Sequence, residues 1–160
     1  MHDVATIRFG GIVALTGIVG TFGGAWLADA LLARARQAYL WLSGGATLLA
    51  APLFYLALSS PIPSVYWSTA IAAELLMFAS TGPINTVIVS VVPAGLRASA
   101  MALSIFAIHI IGDVPSPTLV GFISDHTSLG LAVLILPAAA LVGGLVWTWA
   151  AATTRVSPAP

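Results

Sequence analysis

Five long apolar stretches separated by short polar breaks constrain this chain more than any other feature. A helix needs about 20 apolar residues to cross the roughly 30 Å hydrocarbon core of a bilayer. The stretches reach that length and cover residues 10–29, 38–58, 65–92, 98–123 and 129–151. They are continuously apolar, unlike the alternating segments of about 10 residues that build a transmembrane β-barrel. The sequence therefore predicts an all-α, polytopic transmembrane helix bundle with about five spans.

Charged residues are too scarce for a soluble protein. Only 6% of the residues are charged and 59% are hydrophobic, whereas a soluble domain carries about 25% charged residues. A soluble domain of 160 residues could not bury that much apolar surface. The formal net charge of zero gives no electrostatic footprint for nucleic acid, and the lack of cysteine excludes a thiol nucleophile or a cysteine-bound metal. We expect one transmembrane domain over residues 1–160, with a disordered cytoplasmic tail at 152–160 and no cofactor.

The distribution of arginine predicts the orientation. Five spans place the two termini on opposite faces, so Arg34, Arg36, Arg97 and Arg155 share one face and Arg8 lies on the other. The arginine-rich face is cytoplasmic by the positive-inside rule. The N-terminus is then outside and the C-terminus is cytoplasmic, in the cell's inner (plasma) membrane. An external N-terminus without a signal sequence suggests that a preceding helix is missing.

Three ionisable residues, Glu74, His109 and Asp113, lie deep inside the predicted spans. Such residues cost about 2.5–3.5 kcal/mol each on insertion scales and are candidates for function. His109 and Asp113 are four residues apart and share a helix face, and Glu74 and Asp113 lie about 15 Å from a membrane surface. We expect a polar cluster that faces an aqueous path and serves proton relay or substrate binding, or else locks two helices together. The spacing specifies no metal.

Glycine and proline mark contacts and breaks in the helices. Gly20 and Gly24 have the GxxxG spacing that lets helices approach closely, either within this chain or between two copies. Proline interrupts helical hydrogen bonding, so the candidate kinks are Gly82, Pro83, Gly112, Pro115 and Pro117. They are either helix hinges or structural kinks with no moving role. The spans over 38–58 and 129–151 contain no titratable group near their middles, which suggests that they face lipid.

Residues 20–36 resemble the cytoplasmic loop signature G-x-L-A-D-R-x-G-R-R of the major facilitator superfamily. The matching residues are Gly24, Leu27, Ala28, Asp29 and Arg34. Ala30 and Leu32 stand where the family has Arg and Gly. In that family this loop joins the second and third helices of each six-helix half.

Residues 82–125 are similar to the end of the tenth helix and the eleventh helix of spinster-like facilitators. The shared patterns are G-P-x-N, V-V-P-x-x-L-R ending at Arg97, F-x-x-H-x-x-G-D-x-x-S-P and G-x-x-S-D. Gly95 replaces the acidic residue usual in that loop. The resemblance implies that the five spans correspond to helices eight to twelve of a twelve-helix transporter, with the ninth and twelfth at the periphery.

The resemblance implies a C-terminal fragment or half of a secondary active transporter that works by alternating access. Its solute would be organic or lipid-like, its movement coupled to protons, and its partners the membrane lipid and a missing N-terminal half. A rival hypothesis is a non-transporting subunit that assembles with other membrane proteins through its glycine-rich faces. The chain has no protease motif or metal-binding helix that would indicate an intramembrane enzyme.

Overall fold

All the secondary structure in the described part of the chain is helical. The computed structural model describes residues 2–32 and 37–154, with side chains from Phe9 onward. Its helices are α1 (His2–Leu32), α2 (Ala38–Ser59), α3 (Pro63–Ser90), α4 (Arg97–Ala107), α5 (Pro115–His126), α6 (Leu129–Ala132) and α7 (Ile135–Thr153). A 3₁₀ turn at Ala94–Leu96 precedes α4, and a π-helical turn at Ile108–Asp113 joins α4 to α5.

Five segments of the described chain are long and apolar enough to cross a membrane. They are Phe9–Leu32, Ala38–Ser59, Pro63–Ser90, Ala94–His126 and Leu129–Thr153. The prediction of an all-α bundle with five spans is confirmed. The largest difference in bounds is at the start of the fourth span, at Ala94 and not residue 98. Helix α7 runs two residues into the predicted tail, and Arg34, Arg36 and residues 155–160 lie outside the described residues.

Small residues form the interior and large apolar residues cover the outside. The buried apolar residues are mainly alanines, such as Ala50 and Ala73, whereas the side chains of Phe22 and Trp26 are each 72% exposed. Water would favour the reverse arrangement. In lipid no hydrophobic force drives helices together, so close van der Waals contact between small residues stabilises the bundle. This distribution is that of a multi-pass membrane protein.

Two glycines bring α1 against α3. A Cβ atom added at Gly24 would lie 2.1 Å from the carbonyl oxygen of Ala79, and one at Gly20 would lie 2.7 Å from the Cβ of Phe78. Both distances are far below van der Waals contact, so only glycine allows the two backbones to approach this closely. The GxxxG face therefore packs within the chain.

Helix α2 lies between α3 and α7. Its contact with α7 is reciprocal: a Cβ at Gly44 would lie 2.6 Å from Cγ2 of Thr148, and one at Gly144 would lie 2.7 Å from Cγ of Leu48. Nine residues of α2 are buried, more than in any other described helix. The expectation that this span faces lipid is wrong for its buried side. A lack of charge indicates apolar surroundings, and a neighbouring helix is as apolar as lipid.

The fourth and fifth spans are both interrupted by proline. No residue of α4, the π turn or α5 is buried, so the fourth span packs little against the other helices. The fifth span, predicted as one helix, breaks between α6 and α7. Pro137 has no N–H to offer the carbonyl of Val133, which instead accepts from the amide of Leu136 at 3.1 Å.

Candidate functional site at mid-membrane

The fourth span changes its winding at mid-length, over Ile108–Asp113. The amide of Val114 donates to the carbonyl of His109 at 2.9 Å, across five residues instead of four. Pro115 and Pro117 follow directly, and because neither has an N–H, the carbonyls four residues before them have no α-helical donor. Short π turns are rare in proteins, and those that occur are often found at functional sites. The turn therefore marks the middle of the fourth span as a candidate site.

His109 and Asp113 form a pair on this turn. Nδ1 of His109 lies 2.6 Å from Oδ2 of Asp113, and the two side chains are 61% and 64% exposed. The i, i+4 spacing predicts this shared face. A polar pair facing hydrocarbon at mid-membrane is costly, and such residues generally face a bundle interior or a water-filled cavity. The pair combines an imidazole with a carboxyl group, two kinds of side chain that commonly transfer protons in proteins.

Glu74 lies on α3, where α1 packs against that helix. Oγ1 of Thr16 donates to Oε2 of Glu74 at 3.1 Å. Thr16 is buried, with 6% of its surface exposed, and Glu74 is partly exposed. Glu74 lies eleven residues into α3, about 16 Å along the helix axis. The carboxyl group is therefore near the middle of the span and has one hydroxyl partner.

The structure brings together two of the three predicted site residues. His109 and Asp113 are bonded to each other, and Glu74 is bonded to Thr16. No group of three His, Cys, Asp or Glu side chains in residues 2–32 and 37–154 could hold a metal ion. No hydrogen bond among the described residues joins Glu74 to that pair, and a single cluster of all three residues stays a prediction.

Sequence reasoning missed Thr16. The signal was present, since Thr16, Gly20 and Gly24 recur every four residues and so share one helix face. That face is the one against which α3 packs. A hydroxyl on a close-packed glycine face is well placed to reach a polar group on the neighbouring helix.

Two neighbouring apolar cavities lie between the helices, and the sequence did not predict them. A cavity of about 420 Å³ lies between α2, α3 and α7, lined by Thr47, Phe54, Met77, Ser80, Ile84, Leu136, Ala139, Ala140, Gly143 and Trp147. A second cavity of about 230 Å³ lies between the fourth span and α7 and is lined by Gly112 and Pro115 of the π-turn region. Leu136 and Ala139 line both, so the two cavities are neighbours.

Two residues of the loop motif lie at helix ends, Asp29 near the end of α1 and Arg97 at the start of α4. Asp29 accepts a hydrogen bond of 2.6 Å from the hydroxyl of Tyr39, which ties the end of α1 to the start of α2. Gly24 forms the close contact with α3. Arg97 is exposed at the first position of α4. Arg34 lies outside the described residues.

The candidate kinks divide into two groups. Helix α3 continues through Gly82 and Pro83, and the proline side chain is fully buried. A Cβ at Gly82 would lie 3.2 Å from Cβ of Ala25 on α1. The winding changes instead at the fourth span, where Gly112 lies in the π turn, Pro115 begins α5 and Pro117 follows.

Comparison with known proteins places these features in context. No family model matches the chain. The chain is 39% identical over 146 residues to the probable sphingolipid transporter spinster homolog 3 of Arabidopsis thaliana, a match that covers 89% of this chain and 28% of that protein. It is 33% identical over 159 residues to protein spinster homolog 3 of Danio rerio, with 89% of this chain and 32% of that protein covered.

A third relative is the sphingosine-1-phosphate transporter SPNS2 of Mus musculus, which is 29% identical over 158 residues. That match covers 88% of this chain and 28% of the relative. The chain therefore spans about three tenths of the length of these curated relatives. The Arabidopsis and mouse relatives are named as transporters, not as enzymes.

Proposed function

Because the chain is a partial homologue of the spinster-like transporters of the major facilitator superfamily, we propose that it forms the portion equivalent to helices eight to twelve of such a transporter. A complete transporter of this kind moves its solute by alternating access around a site at the membrane midplane. The solute is an organic or amphipathic, lipid-like molecule, and proton movement drives its transport. The names of the relatives, which are sphingolipid and sphingosine-1-phosphate transporters, support this class of solute.

The exposed fourth span is the observation that carries the proposal. It is long and apolar enough to cross a membrane, none of its residues is buried, and it holds the His109–Asp113 pair at mid-length. Such a pair requires water or a polar partner within the membrane. An N-terminal half facing this span supplies both, because the solute path lies between the two halves. The amphipathic solute then has polar groups at its site and an apolar cavity beside it.

Glu74 and the His109–Asp113 pair have different roles in the proton pathway. Both lie near mid-span, and both combine an ionisable group with a partner that can donate or accept a hydrogen bond. In this proposal the exposed pair meets the solute and water, whereas Glu74 holds a proton at the contact between α1 and α3.

Co-expression tests the proposal directly. The chain is reconstituted in proteoliposomes alone, and then together with a polypeptide that supplies the first seven helices of a spinster-like relative. Uptake of radiolabelled sphingosine-1-phosphate is measured with and without an inward proton gradient. We expect uptake only from the two-part assembly. Robust uptake by the purified chain alone would contradict the proposal that transport needs an N-terminal portion. An assembly that forms without any uptake would favour the non-transporting subunit.

The orientation follows from the same assignment, with the N-terminus outside and the C-terminus in the cytoplasm of the inner (plasma) membrane. The natural chain has no cysteine, so single cysteines can be labelled without background. Cys at Pro61, in the loop between α2 and α3, should react with an impermeant maleimide in intact cells. Cys at Val91, in the exposed loop after α3, should react only after lysis. The opposite pattern would invert the assignment.

A further inference from the structure

The hydroxyl of Thr16 has three oxygen neighbours but only one proton to donate. Its Oγ1 lies 2.9 Å from the carbonyl oxygen of Ile12, 3.1 Å from that of Val13 and 3.1 Å from Oε2 of Glu74. A hydroxyl has one donor proton and two acceptor lone pairs. If Glu74 is ionised, Thr16 donates to the carboxylate and leaves the Ile12 carbonyl without that proton. If Glu74 is protonated, it can donate to Thr16 while Thr16 donates to the Ile12 carbonyl, so each of these two contacts is a hydrogen bond.

We propose that Thr16 is a positioning residue that accepts a hydrogen bond from the Glu74 carboxylic acid and reverses its own hydrogen bond when the Glu74 proton leaves. In the protonated state, Glu74 donates to Oγ1 of Thr16 and Thr16 donates to the Ile12 carbonyl. When Glu74 releases its proton to the pathway, the Thr16 hydroxyl rotates and donates to the carboxylate. This inference deepens the proton pathway of the proposed function and rests on it for its role in transport.

The packing of α1 on α3 supports this role. Thr16 is buried, and Gly20 and Gly24 on the same face of α1 hold the two backbones in contact. The hydroxyl therefore stays within reach of Glu74. Glu74 itself is partly exposed, so the contact between α1 and α3 does not enclose this residue completely.

On helices that pack against α3, the other titratable groups whose side chains the structure describes have partners elsewhere or lie at other levels. Asp29 and Tyr39 bond each other near the loop after α1, and Asp29 is thirteen residues from Thr16, about 20 Å along the helix. Tyr55 lines a cavity between α2 and α7, Tyr66 packs edge-on against Trp67, Arg97 begins α4, and His109 bonds Asp113. Within the described residues, Thr16 is the side chain that hydrogen-bonds Glu74.

Infrared spectroscopy of the full chain in lipid bilayers tests the inference without any need for transport. The C=O stretching band of the protonated Glu74 side chain is identified by its loss in Glu74→Gln. In Thr16→Val, which keeps the shape but removes the hydroxyl, we expect this band to shift to higher wavenumber because the acid no longer donates to oxygen. Thr16→Ser should return the band to its natural position.

Thr69→Val is the matched control. The Thr69 hydroxyl also donates to the carbonyl four residues before it on a membrane helix, at 2.7 Å from Val65, but it contacts no carboxylate among the described residues. Its replacement should leave the Glu74 band in place. If Thr16→Val does not insert into the membrane, Thr16→Ala takes its place with the same expected shift.

Three results would overturn the inference: an unshifted band in the variant without the hydroxyl, an equal shift in Thr69→Val, or no protonated band that Glu74→Gln removes at any pH at which the chain stays folded. Transport is a separate readout. In the two-part assembly, Thr16→Val should alter the pH profile of uptake and Thr16→Ser should not. Absence of uptake in the unaltered assembly would reject the proposed function and leave the spectroscopic result standing.

Discussion

The packed helices α1, α2, α3 and α7 differ from the fourth span, Ala94–His126, in how they use the same kinds of residue. In the packed helices, Gly24 of α1 lies against the backbone of Ala79 on α3, and Pro83 of α3 is fully buried. In the fourth span, Gly112 has nothing within 4 Å of an added Cβ, and the prolines follow a π turn. Identical residue types therefore stabilise one region and shape an exposed site in the other.

The ionisable residues show the same contrast. Glu74 shares a hydrogen bond with a buried hydroxyl across two tightly packed helices, whereas His109 and Asp113 are paired with each other on an open face. A change in the first region should act on the stability of the chain as well as on its chemistry. A change in the second should act on transport alone.

The largest expected effect comes from Gly24→Ala. The new methyl group would lie 2.1 Å from the carbonyl oxygen of Ala79, so α1 and α3 must separate. Overpacking of this kind costs about 1–3 kcal/mol or more. We expect the detergent-solubilised chain to lose its thermal stability, measured by size-exclusion chromatography after heating. Gly23→Ala, on the open side of the same helix, is the control and should behave as the natural chain does; equal losses in both would remove the distinction between the two faces.

Asp113→Asn and Glu74→Gln should each lower uptake by the two-part assembly at least about tenfold. Loss of a group that transfers protons typically lowers a rate by more than this. An amide keeps the size and the hydrogen-bonding capacity of the carboxyl group but cannot carry a proton. The amount of inserted protein should not change. Asp125→Asn, near the exposed end of α5, is the control and should retain uptake. Natural uptake rates in both variants would reduce the two sites to structural contacts.

His109→Gln should change the pH dependence of uptake more than its maximal rate. An imidazole ring can gain and lose a proton, whereas an amide cannot. The pH profile of uptake should therefore become flatter. His126→Gln is the matched control, because the His126 ring bonds only the Phe122 carbonyl at the exposed end of α5. An unaltered pH profile in His109→Gln would show that the ring acts only as a partner of Asp113.

The smallest effect is expected for Gly112→Ala. Open space surrounds this glycine, so an added methyl group should change the stability of the chain by no more than about 0.5 kcal/mol. The heating assay used for Gly24→Ala provides the comparison within one protein. A loss as large as that of Gly24→Ala would mean that the fourth span packs against the other helices in solution.

The candidate site was predictable only in part. His109 and Asp113 could be paired from the sequence because i, i+4 residues share a helix face whatever surrounds the helix. The partner of Glu74 could not be identified in this way, because it lies on another helix, 58 residues away along the chain. Proximity along the sequence predicts contacts within a helix, whereas contacts between helices depend on which faces pack.

The sequence by itself determined the class of the protein and its five spans, since the length and hydropathy of each segment suffice to identify a membrane helix. It also placed the breaks near Pro115, because a missing N–H acts locally. Only the tertiary structure decided that Gly24 packs on α3, that α2 is enclosed by two neighbours, and that Glu74 has its hydrogen-bond partner on α1. These features depend on van der Waals fit between distant segments. Small residues in lipid allow several such fits between two helices, and the packing of all the helices together determines which one forms.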